Sequence, residues 1–142
     1  SLLGGGISVV TDASGTFVWA KRAGGSWTDI GYGIAILSDD SVLVTGEISL
    51  SAVFGPGEAG QKSFSSLSGR ELFLARYGPS GNVGWATTTG GSTNQEGRSI
   101  AALSDGSSLV AGTFDDQAPS TFGSTTFGSA GSADVVIVKF GP

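Results

Sequence analysis

The sequence predicts an all-β fold made of four-stranded antiparallel units, two to the chain, arranged as the blades of a β-propeller. Three observations predict it. The 142-residue chain repeats itself once, with a period near 66 residues. Long windows lack the i, i+3, i+4 apolar spacing of a helix, and Gly, Ser and Thr dominate where a helix needs Ala, Leu, Glu or Lys. Short apolar runs alternate with turn residues along most of the length.

The repeat is dense. Ser14-Gly15, Trp19-Ala20, Gly24-Gly25-Ser26, Ile34-Ala35, Leu37-Ser38-Asp39 and Leu43-Val44 recur as Ser80-Gly81, Trp85-Ala86, Gly90-Gly91-Ser92, Ile100-Ala101, Leu103-Ser104-Asp105 and Leu109-Val110. It drifts in one place, where Phe54 maps to Phe122 but Phe64 to Phe127. It re-registers at Glu71-Leu72-Phe73-Leu74-Ala75-Arg76-Tyr77, which matches Asp134-Val135-Val136-Ile137-Val138-Lys139-Phe140. A unit of this kind cannot bury its own faces and must stack on copies of itself.

Taken in order, residues 7–12 and 16–23 read as two strands, the second carrying Trp19. An inner strand follows through Ile34-Ala35, then a turn at Asp39-Asp40 and an apolar second strand ending at Val44-Thr45-Gly46. A polar, Gly-rich loop over 49–63 leads to a fully apolar third strand at 72–77, a Gly-Pro-Ser-Gly turn, and an outer strand at 82–89 with Trp85. The second copy gives strands at 98–104 and 107–114 about Asp105-Gly106, a strong hairpin signal because Gly accepts positive φ, and a last strand at 135–140. Residues 1–25 thus form a strand pair, 26–91 the first blade, and 92–142 a second blade lacking its outer strand. Small Ala35, Ala101 and Ala102 suit the crowded axis, and Trp19 and Trp85 the wider rim. A parallel β-helix is the rival architecture, and the antiparallel Asp-Gly hairpin argues against it.

These motifs resemble the bacterial β-propeller repeats of secreted and surface proteins. The resemblance lies in Gly24-Gly25, Gly31-Tyr32-Gly33-Ile34-Ala35, Ser38-Asp39, Val42-Leu43-Val44-Thr45-Gly46 and Glu71-Leu72-Phe73-Leu74-Ala75-Arg76, and in their second-copy counterparts. It covers nearly the whole chain from Ser14 and implies blade architecture, an extracellular or cell-surface location, and no catalytic residue. The insert at 55–63 and Arg98-Ser99 in place of Tyr-Gly depart from the pattern.

Composition removes several functions. Charged residues make up 13% and the net charge is −5, with the seven Lys and Arg scattered, so no basic stripe exists for nucleic acid. No run of 18 apolar residues is present to span a membrane as a helix. Cys and His are absent, which removes thiol nucleophiles, disulfides, imidazole bases and the usual zinc ligands. No cofactor is expected. Asp115 and Asp116 lack the alternating oxygen ligands of a calcium loop, so no metal site is predicted.

Candidate ligand-binding residues are Trp27, Asp29 and Tyr32 in the first copy and Asn94, Glu96 and Arg98 in the second. All lie where the chain enters an inner strand, so a ring would gather them at one mouth; ordinary turn chemistry accounts for the same residues. Two function classes follow. One is a non-catalytic binding or scaffolding propeller, lectin-like in its sharpest form. The other is a lyase or hydrolase using carboxylates at the mouth, drawn from Asp29, Glu58, Glu96 and Asp115. Propellers close with about four to eight blades. Two blades per chain therefore predict a homo-oligomeric ring, three chains favoured, with strand 16–23 completing a neighbour's last blade. A piece of a longer repeat array is the alternative.

Overall fold

The computed structural model describes residues 6–11, 13–91, 94–115 and 119–142. Among these residues the chain is all strand and turn, with every sheet antiparallel. Strands β1 (Gly6–Thr11), β2 (Phe17–Gly24), β3 (Ile30–Ile36), β4 (Val42–Phe54), β5 (Lys62–Tyr77) and β6 (Val83–Thr88) form one sheet. Its order is β1-β2-β4-β5-β6, and β3 shares with β2 the edge of β4 opposite β5, β3 along residues 42–47 and β2 at Val53 and Phe54. Strands β7 (Gln95–Ala102), β8 (Ser108–Phe114) and β11 (Asp134–Phe140) form a second sheet in the order β11-β8-β7. Strands β9 (Ser120–Phe122) and β10 (Thr125–Phe127) make a small hairpin of their own.

The meander β3-β4-β5-β6 and the triplet β7-β8-β11 place equivalent residues opposite each other. Ile34 pairs with Val44 as Ile100 pairs with Val110, and both inner hairpins close through the same turn. Leu37 N–H donates to the Ser41 carbonyl at 2.9 Å, and Leu103 N–H to the Ser107 carbonyl at 2.8 Å. Asp40 takes the positive φ (61°) that Gly106 supplies in the second copy (82°). Asp39 accepts the Ser41 N–H, and Asp105 accepts first the Ser107 hydroxyl and then the Ser107 N–H, which holds both carboxyls below the usual carboxylate range.

Two segments differ from the sequence reading. The 49–63 stretch is largely strand rather than loop: β4 runs to Phe54 and β5 starts at Lys62, so that only 55–61 turns. Its Gly, Pro and Ser content obscured an alternation that buries Ile48, Ala52 and Phe54. In the second copy, β9 and β10 take the same place. Phe54 meets Phe64 at 5.8 Å between ring centroids and Phe122 meets Phe127 at 6.1 Å, a contact repeated between residues that the two copies align.

Two cores lie between layers. One packs Leu37, Leu43, Leu72, Leu74 and Trp85 of the first meander against Ile100, Ala102, Val110 and Phe140 of the second sheet. The other sits on the opposite face of the same meander. It gathers Val42, Val44, Phe54, Phe73 and Tyr77, with Trp19 and Ala23 of β2 packed on them. Trp19 lies over Tyr77 with centroids 6.4 Å apart, and its indole N–H donates to the Pro79 carbonyl. Both tryptophans therefore occupy layer junctions. Burial pushes the Tyr77 hydroxyl up to about 12, so it stays neutral in this core.

Candidate functional site

Tyr32 and Arg98 come together because each is the extra residue of a β-bulge at the start of an inner strand. In β3 the register passes from Gly31↔Gly46 to Gly33↔Thr45, leaving Tyr32 unopposed. In β7 it passes from Gly97↔Gly112 to Ser99↔Ala111, leaving Arg98 unopposed. A bulge bends its strand and re-aims the added side chain. The Arg98 guanidinium lies 4.5 Å from the centroid of the Tyr32 ring, in cation–π range. The strand facing each bulge must carry glycine. A Cβ on Gly46 would stand 1.9 Å from the Ile30 carbonyl oxygen, and one on Gly112 the same distance from that of Glu96.

Beneath this pair sits a charged cluster that joins the two sheets. Arg70 of β5 reaches Glu96 Oε1 of β7 at 3.0 Å and Glu47 Oε2 of β4 at 3.3 Å. Arg98 pairs with the other Glu96 oxygen. The Glu47 side chain is 2% exposed and the two guanidiniums about half exposed, so the acids form the floor and the arginines the rim. Burial raises the Glu47 carboxyl above its ordinary value; the adjoining Glu96 carboxyl adds to this and Arg70 opposes it. Burial, and then these two acids, also raise the Tyr32 hydroxyl. Asn94 braces the rim: its side-chain oxygen accepts the Arg70 N–H at 3.2 Å, while its own N–H groups donate to Asp115 at 2.9 and 3.1 Å.

Of the six residues singled out in the sequence, Tyr32, Glu96 and Arg98 share this site and Asn94 backs it. Asp29 does a different job. Buried in the turn before β3, its two oxygens accept Gly25 N–H at 2.8 Å and Ser49 N–H at 3.1 Å. Burial raises its carboxyl, against the lowering effect of those two bonds. In the second copy the fully buried Gln95 occupies that place and donates to Ser120 at 2.9 Å. Asp29→Asn keeps one acceptor and turns an NH2 toward the other N–H. We expect a loss of about 1–3 kcal/mol in urea unfolding; an unchanged midpoint and slope would mean that the turn is held by other contacts. Trp27 is 60% exposed, apart from the cluster. Glu47 and Arg70, the cluster's remaining members, escaped the sequence reading.

A cavity of about 440 Å³ opens on the face of the first meander away from β7. Asp29, Tyr32, Ile34, Val44, Ile48, Phe54, Phe73 and Tyr77 line it, with Lys21 and Ala23 of β2. The carboxylates considered for catalysis do not converge there. Glu58 is held by Lys21 at 2.8 Å and by the Val83 N–H at 2.7 Å, and Glu96 lies in the arginine cluster. Asp115 is engaged by Asn94, and Asp116 falls outside the described residues. Among the described residues no group of three metal-ligating side chains forms, and no helix is long and apolar enough to cross a membrane.

No family model matches the chain. Over 110 residues, it is 30% identical to an uncharacterized WD repeat-containing protein of Acanthamoeba polyphaga mimivirus. The match takes in 76% of this chain but only 8% of that protein's length. WD repeats build four-stranded propeller blades, usually about 40–45 residues each. The longer period here lies in the extended β4–β5 hairpin and its β9–β10 counterpart, and the chain carries no Trp-Asp dipeptide. The chain is thus similar to part of a WD repeat-containing protein, a likeness that fits its antiparallel units and points to a repeat of the β-propeller type.

Proposed function

We propose that this chain is a non-catalytic binding or scaffolding module of the β-propeller type, closing into a ring with copies of itself. One observation carries the reading: the junction inside the chain has two unmatched halves at its ends. Leu43, Leu72 and Leu74 are buried against the second sheet, yet their counterparts Leu109, Val135 and Ile137 face solvent, the last two 75% and 71% exposed. Ile100 and Ala102 pack in that junction, whereas their counterparts Ile34 and Ile36 are exposed beside the cavity. Each end face therefore offers what the other lacks, and contiguous apolar faces of this kind mark interaction surfaces. Repeated head to tail, the contact closes a ring of roughly six blades, hence about three chains, within the range at which propellers close.

Such a ring presents its loops several times over, so weak contacts gain by avidity. The exposed Trp27 supports a lectin-like version, in which the indole stacks on a sugar face. Light scattering on the purified chain tests the ring, with a defined mass of a few chains expected and a folded monomer at micromolar concentration overturning it. A glycan array at background would remove the lectin version and leave the scaffold.

A further inference from the structure

The strand pair β1–β2 repeats the pairing of β5 with β6. In the latter, Leu74, Ala75 and Arg76 face Thr87, Ala86 and Trp85, and the register shifts between Arg76 and Tyr77. In the former, Ser8, Val9 and Val10 face Lys21, Ala20 and Trp19, and the register shifts between Val10 and Thr11. These are the same positions one 66-residue period earlier, shift included. The third strand of this type is β11. It pairs with β8 along one edge, and among the described residues no strand takes the other. One edge of β2 is thus matched to two strands, β1 of its own chain and β11 of another.

We propose that β2 exchanges partners on assembly, giving up β1 to take β11 of a second copy. This rests on the ring reading above. The β5–β6 register places Val138 of that copy opposite Ala20, Ile137 opposite Lys21, and Lys139 opposite Trp19. Chain continuity then seats the faces. As β6 leads through the Gly90↔Thr121 bridge into β7, β2 leads through Ala23↔Phe54 and Gly24↔Val53 into β3. A β11 set on the β2 edge therefore brings Val135 and Ile137 over the first meander's cavity and Ile34 and Ile36. A strand edge holds one partner at a time, so β1 covers the docking edge in the free chain and its release limits association.

The absence of cysteine makes the exchange directly readable. In the full chain, Ala20→Cys with Val138→Cys and Lys21→Cys with Ile137→Cys test two adjacent register pairs, one of which is the closer type that a disulfide spans. On oxidation, covalent multimers are expected in several-fold excess over a mis-registered control, Ala20→Cys with Val136→Cys. Adding Val9→Pro, which places a proline inside the β1–β2 ladder, should raise the multimer yield several-fold further. Multimer yields equal to the control overturn the exchange. Light scattering on the unmodified chain then separates the two ideas: a ring mass leaves the ring standing with another seam, and a monomer removes both. A yield unmoved by Val9→Pro overturns the competition by β1.

Discussion

Alanine in place of Gly46 is expected to cost about 3 kcal/mol or more and to lower the melting temperature by roughly 10 °C. The reason is local and steric. The new Cβ would sit 1.9 Å from the Ile30 carbonyl oxygen and 2.9 Å from the Gly31 Cα, backbone atoms that no rotamer change can move aside. Relief requires the β3 bulge to open, which swings Tyr32 away from Arg98. The variant should therefore lose the cation–π contact along with its stability. Gly112→Ala should behave alike at the β7 bulge, where the clash is with the Glu96 carbonyl. Gly128→Ala is the control: nothing stands within 4 Å of its Cβ, and a shift within about 1 kcal/mol is expected. If Gly46→Ala melts with that control, steric exclusion does not hold the bulge, and the placement of Tyr32 needs another cause.

These glycines also show where the sequence was readable. Gly46 and Gly112 stand one 66-residue period apart, and the strands around them could be placed because each appears twice. The Trp-bearing strands, β8 and the apolar β11 lie within a residue of expectation, while β7 starts three residues and ends two residues earlier than expected. The extended β4–β5 hairpin did not declare itself. Leu50 at positive φ (56°) breaks the register at Ser49/Ser51, and the strand resumes beyond it for only four residues, Ser51 to Phe54, facing the Ser-rich start of β5. Alternation interrupted in this way looks like loop.

The site divides along the same line. Tyr32, Glu96 and Arg98 share the entrance to an inner strand, and period and topology were enough to bring them together. Glu47 and Arg70 belong to β4 and β5, more than twenty residues from each other and from Glu96, and nothing local joins them. One signal was available. Glu47 lies between Gly46 and Ile48 in the buried stretch 42–48, and a charge there must have a partner. The identity of that partner depended on the β4–β5 register, which pairs Glu47 with Leu72 and carries Arg70 just beyond it.

Arg70→Ala should be the most pH-dependent variant of the chain. It leaves Glu47 in the floor of the cluster without its cation and Glu96 with Arg98 alone. Stripping one member from a fully buried pair costs about 3–5 kcal/mol; the half-exposed guanidinium here reduces the expectation to about 2–3 kcal/mol at pH 7. The pH dependence follows from Glu47. Its carboxyl in the fold titrates above its unfolded value of about 4.3, so ionising it costs stability as pH rises from the unfolded value through the folded one. Arg70 offsets that cost. Without it the cost grows at neutral pH, whereas near pH 4 a protonated Glu47 needs no cation and the loss shrinks. Urea unfolding at pH 4 and pH 7 measures both. Glu47→Gln added to Arg70→Ala should recover part of the loss at pH 7 and little at pH 4, because it installs the neutral form permanently. An Arg70→Ala loss of equal size at the two pH values would show that the arginine acts through packing of its stem, and that the buried carboxyls do not need its charge.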